Sequence, residues 1–101
     1  PNKEQILMAK KYGFDTVEIH TGSLENKKVS KKEIQKITNS IQFAYNLNLI
    51  VNAGHGLNFH NIKYLKDKKL INTIHIGHFV IFESIFTSLD KVIAKFKRIT
   101  R

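Results

Sequence analysis

Apolar residues Ile6, Leu7 and Tyr12 recur at helical spacing near the start of the chain, which predicts a helix over 3–12. Asn2 is placed as its N-cap and Gly13 as its stop. The period then drops to two. Thr16-Val17-Glu18-Ile19-His20 alternates strictly, the signature of a strand, and Thr21-Gly22-Ser23 ends it. A polar loop runs to Ser30, where Ser30-Lys31-Lys32-Glu33 forms a capping box: serine oxygen and glutamate each satisfy a free amide at a helix start. Ile34, Ile37, Ile41, Ala44 and Tyr45 then form one apolar stripe along a helix of about four turns. Leu49-Ile50-Val51 is short and continuous, as expected of a strand buried on both faces. It leads into Asn52-Ala53-Gly54-His55-Gly56, where two glycines permit a sharp turn or a close approach to a ligand. A short helix is expected over 61–67 and a third strand over Ile71–Ile76, ending at Gly77-His78. Helical segments over 79–86 and 88–99 follow, the second capped by Thr87 or Ser88.

Strands alternating with helices imply parallel βαβ units, and a parallel sheet covers its apolar sides with helices on both faces or by closing into a barrel. Three strands close nothing, since a (β/α)₈ barrel takes eight strands and roughly 250 residues. Residues 1–101 are therefore expected to be one incomplete segment of a barrel domain, its earlier strands outside this chain. The opening within a helix rather than before a strand fits that expectation.

Composition narrows the setting. A hydrophobic share of 42% and a charged share of 25% are those of an ordinary globular domain. No apolar run approaches the roughly 20 residues that span a bilayer, and Phe79-Val80-Ile81-Phe82 is cut short by Glu83. With no cysteine and no signal-peptide pattern, a cytoplasmic location is expected. The net charge of +9 raises the alternative of a small basic module that binds RNA or an acidic partner. The basic residues, however, are lysines apart from Arg98 and Arg101, and they are spread over the helical stretches. Nucleic-acid recognition favours arginine forks and stacking aromatics. A solvated lysine surface, compatible with phosphorylated small molecules, explains the charge.

The polar residues suited to chemistry collect at the C-terminal ends of the strands, the rim where ligands bind in α/β folds. Glu18 and His20 share one face of the first strand, a face expected to be buried in a parallel sheet, and a lone carboxylate there needs a partner or a task. His55 stands between two glycines after the second strand. His20 is balanced between a direct role and one of orienting its neighbours. His60 and His75 read as ordinary loop or strand polar residues. Gly77-His78 opens a helix whose free amides and positive dipole end make a ready phosphate seat. Five histidines invite a metal, but no pair has the i, i+4 helical spacing of a zinc protease, so none is expected.

Three blocks together resemble the pyridoxine 5′-phosphate synthases of vitamin B6 biosynthesis: Val17-Glu18-Ile19-His20-Thr21-Gly22, Val51-Asn52-Ala53-Gly54-His55-Gly56-Leu57 with Phe59-His60-Asn61 behind it, and Ile76-Gly77-His78. The resemblance runs through essentially the whole chain and implies strands six, seven and eight of a (β/α)₈ barrel with an extra C-terminal helix. It further implies a cytoplasmic homo-octamer that condenses 1-deoxy-D-xylulose 5-phosphate with 3-amino-2-oxopropyl phosphate, releasing phosphate and water, with neither cofactor nor metal. By the same resemblance His55 is a proton donor, Glu18 stabilises a transition state, and Gly56, Gly77 and His78 hold the phosphorylated amino ketone. The family's other acid-base groups lie on earlier strands, so residues 1–101 alone are not expected to run the reaction.

Overall fold

A computed structural model describes residues 2–26, 28–65 and 68–100; the side chains of His78 and Phe82 lie outside the described residues. The elements run α1 (Lys3–Lys11), β1 (Thr16–His20), α2 (Lys31–Asn46), β2 (Ile50–Gly54), β3 (Ile71–His75), α3 (Gly77–Phe86) and α4 (Leu89–Thr100). Short 3₁₀ turns occupy Gly22–Glu25, Asn61–Tyr64 and Lys68–Leu70. The result is a mixed α/β fold.

The helix signals act as their chemistry dictates. Asn2 Oδ1 accepts from the Glu4 amide at 2.8 Å, and Ser30 Oγ from the Glu33 amide at 3.1 Å. Gly13 takes φ +83°, the left-handed turn that a glycine makes without a Cβ clash. Asn48, at φ 61°, does the same work after α2, and the Leu49 amide returns to Ala44 O at 3.2 Å. Ser88 rather than Thr87 caps α4, its Oγ accepting from the Lys91 amide at 3.3 Å.

The three strands pair in parallel in the order β1-β2-β3. β1 and β2 are in register from Thr16↔Ile50 to His20↔Gly54, and an irregularity at Val51/Asn52 interrupts the β2–β3 ladder. α2 packs on β1 and β2, where Ile37, Ile41 and Ala44 join Ile19, Val51 and Ala53 in one buried core. At the other edge Phe59, Phe79 and Phe96 meet ring to ring, with centroids 4.5–5.7 Å apart, and tie α3 and α4 to the loop after β2.

Several expectations shift. β2 runs to Gly54 instead of ending at Val51, because its backbone is paired on both sides as far as Gly54. It is not buried on both faces: Val51 and Ala53 are enclosed, but Ile50 is 47% exposed. β3 stops at His75 and α3 starts at Gly77, with Ile76 as its N-cap residue. The helix expected over 61–67 is a 3₁₀ turn over Asn61–Tyr64, and residues 66 and 67 lie outside the described residues. Leu7, Tyr12 and Tyr45, counted with the apolar stripes, stand at least half exposed, because the buried positions are Ile6 on α1 and the line through Ile37, Ser40, Ile41 and Ala44 on α2.

The sheet thus has two unlike sides. Helices cover the side of Val17, Ile19, Val51, Ala53 and Ile74. The opposite side carries Glu18, His20, Asn52, Thr73 and His75, and it is largely polar and open.

Candidate active site

The site is assembled where β1 and β2 end together. Beyond the last paired residues, the Thr21 amide donates to Gly54 O at 2.8 Å, and Thr21 Oγ1 lies 2.7 Å from both Gly54 O and His55 O. Thr21 is fully buried, so this hydroxyl fastens one strand end to the other out of reach of solvent. Asn61, also buried, secures the next stretch. Its Nδ2 donates to Gly56 O at 2.6 Å and to Leu24 O at 3.2 Å, while its Oδ1 accepts from the Asn58 amide at 2.8 Å.

Between these two anchors the backbone turns through the left-handed region twice, at His55 (φ 89°) and Gly56 (φ 65°). Such conformations are costly for a residue with a side chain and persist where the surroundings over-determine them. Here the carbonyls of Gly54, His55 and Gly56 are all held. At Gly56 an added Cβ would crowd Glu25 Oε2 at 3.1 Å and Gly22 Cα at 3.3 Å, so glycine is favoured by tight space as well as by φ. The His55 side chain is exposed, and its ring stacks on that of His20, with centroids 4.4 Å apart and planes 22° from parallel.

Glu18, His55, Gly56 and Gly77 all line one open cleft of about 800 Å³. Glu18, expected on a buried strand face, is exposed, because its side of the sheet carries no helix. Its carboxylate lies across β2 where a Cβ on Gly54 would stand. The third contributor is the start of α3. Ile76 makes no side-chain capping bond there, so the amides of the first helical turn and the positive end of the helix dipole are available at the cleft. A Cβ built on Gly77 would meet no atom within 4 Å among the described residues, so their packing does not require this glycine. The His78 side chain lies outside the described residues.

Two cleft residues escaped sequence reasoning. His75, read as an ordinary strand residue, pairs with Gly54 and lines the cleft beside Glu18. Strand parity relative to Gly54 is the signal that would have placed it. Glu25 arrives from the 3₁₀ turn after β1, a stretch with no periodic pattern to mark it. His60 turns elsewhere, its ring edge-on to Tyr64 with centroids 6.1 Å apart. Among the described residues no three acidic or histidine side chains group as metal ligands, and no helix is long and apolar enough to cross a membrane.

Thr21→Val preserves shape but removes the hydroxyl that joins the strand ends. In the intact protein it is expected to cost about 1–3 kcal/mol, the penalty for a carbonyl deprived of its buried donor. Denaturant unfolding of both forms measures it; an unchanged midpoint would show that the Thr21 amide suffices.

The family model described as pyridoxal phosphate biosynthesis protein PdxJ matches residues 1–101. A pyridoxine 5′-phosphate synthase from Legionella pneumophila (strain Corby) is 36% identical over 102 residues, covering 98% of this chain and 41% of its own length. Another so named, from Prochlorococcus marinus (strain MIT 9312), is 38% identical over 99 residues, 96% of this chain and 42% of its own. The chain therefore spans about two fifths of the length of the curated relatives it matches.

Proposed function

The chain belongs to the PdxJ family of pyridoxal phosphate biosynthesis proteins, and from that membership we propose that the intact protein is a pyridoxine 5′-phosphate synthase. It condenses 1-deoxy-D-xylulose 5-phosphate with 3-amino-2-oxopropyl phosphate and closes the pyridine ring. The observation that carries this reading is the convergence of Glu18, His55, Gly56 and Gly77, delivered by three separate strand ends, on one cleft. The basic-module alternative gains nothing from a family match over residues 1–101.

The chemistry fits the residue types. Amine and ketone must form an imine, protons must leave carbon, and a hydroxyl must depart as water. His55 supplies the proton that the departing oxygen requires, a task suited to an imidazole near neutrality. Glu18 faces the cationic imine stage across the same cleft and lowers its energy by charge. The amides of Gly56 and of the α3 start, with His78, receive the phosphate of the amino ketone.

The rest of the proposal concerns the larger molecule. A parallel three-stranded sheet with helices on one side and polar groups on the other supports the reading of these units as strands six to eight of a (β/α)₈ barrel, whose remaining strands close over the open side. Leu7, Met8, Ile81 and Ile85, all more than half exposed, give apolar area for burial in that barrel and in a homo-octamer. The working location is the cytoplasm.

Incubating the intact protein with both phosphorylated substrates should yield pyridoxine 5′-phosphate and inorganic phosphate; no product with both present would end the proposal. Gly77→Val then tests the phosphate seat. Because a Cβ there would meet no atom within 4 Å among the described residues, stability should change little. The Michaelis constant for the amino ketone phosphate should rise roughly tenfold to a hundredfold, the worth of one or two charge-assisted hydrogen bonds. An unmoved constant would put the phosphate elsewhere.

A further inference from the structure

His20 stands at the exposed end of β1, yet its imidazole is held on both sides. On one side is Gly22, whose amide donates to Nδ1 at 3.2 Å and which leaves no space for a side chain: a Cβ there would meet the imidazole Cε1 at 2.5 Å. On the other side lies the His55 ring, 4.4 Å away and nearly parallel. The two anchors at Thr21 and Asn61 fix the backbone at His55, and so fix where its Cβ starts. They do not fix the plane of the imidazole, which turns about two side-chain bonds on an exposed residue. A flat neighbour pinned by its own backbone turn supplies that restraint.

We infer that His20 is a positioning residue, holding the imidazole of His55 in the plane from which it transfers a proton into the cleft. The inference rests on the reading of His55 as proton donor. With Nδ1 accepting from Gly22, the neutral His20 ring carries its proton on Nε2 and presents its face to His55. The stacked face, rather than a proton relay, is what matters, so an aromatic ring without nitrogen should serve in part. Gly22 acts one step further back, since any side chain there displaces the His20 ring.

The test uses His20→Ala, His20→Phe, His55→Asn and the His20→Ala/His55→Asn double variant of the intact enzyme, with kcat, the Michaelis constants and the melting temperature measured for each. His20→Ala should lower kcat roughly 10- to 100-fold, the scale of a misaligned reacting group, with the Michaelis constants nearly unmoved. His20→Phe should recover a large part of that loss. In the His55→Asn background, removal of the His20 ring should have no further effect, because the two act as one unit. Near-normal kcat in His20→Ala, beside a crippled His55→Asn, overturns the inference. So do losses that multiply in the double variant, and so does a lower melting temperature with kcat intact in both His20 variants. Normal turnover in His55→Asn is a different failure, of the proton-donor reading itself, and that single variant tells the two apart.

Discussion

Replacing His55 with Asn in the intact enzyme is expected to lower turnover by roughly 10²–10⁴ and to leave the melting temperature close to its original value. In free energy the loss is about 3–5 kcal/mol of transition-state stabilisation. The fold should survive for two local reasons. The fastening at this turn reaches the His55 carbonyl, not its imidazole, so Thr21 keeps its acceptors in the variant. Asparagine is also among the few residues that tolerate left-handed backbone, so φ 89° is retained. Substrate affinity should change little, since the phosphates are assigned to amides. If the melting temperature fell and turnover stayed near normal, His55 would leave the catalytic list and become a residue of the turn.

Glu18→Gln should reduce turnover by about 10²–10³, the scale set by removing one preorganised electrostatic partner of a transition state. The substitution keeps length and hydrogen-bonding oxygen and removes only the charge. Glu18 lies on the side of the sheet without helices and takes no part in the buried core, so the change disturbs none of that packing. A second variant reaches the same carboxylate without touching it. Gly54→Ala places a methyl group where the Glu18 carboxylate lies, so the carboxylate must move, and it also brings that methyl to 3.0 Å from the His75 Cβ on β3. Part of the Glu18→Gln loss should therefore appear in Gly54→Ala. Full activity in Glu18→Gln, measured under saturation with both substrates, would show that its charge is not used.

Much of this architecture is legible in the residues, and the exceptions have physical causes. The alternation of Thr16–His20, the caps at Asn2 and Ser30 and the glycine stop at Gly13 are local signals, and each appears where its chemistry puts it. β2 outruns its signal because Asn52, Ala53 and Gly54 are poor strand formers held by neighbours on both sides, which no local window contains. Periodicity told which residues on α1 and α2 are apolar, but not what covers them; hence Leu7, Tyr12 and Tyr45 lie open. The strand-end positions of Glu18, His55 and Gly77 followed from the element order. Thr21 and Asn61 did not, because their partners are backbone carbonyls 33, 34 and 37 residues distant for the longest of these bonds. A threonine after a strand and an asparagine in a loop look the same whether or not such a carbonyl waits for them.

The unlike sides of the sheet mean that adjacent residues of one strand answer to different pressures. Val17, Ile19, Val51 and Ala53 face the helices, where a lost methyl group is felt as instability. Glu18, His20, Asn52 and Gly54 alternate with them on the other side. There a substitution changes the polar side of the sheet rather than the packed core. On the first side the demand is volume, which another aliphatic of similar size can meet; on the second it is the polar group itself. Packing and chemistry are thereby interleaved at a spacing of roughly 3.3 Å along the same few residues.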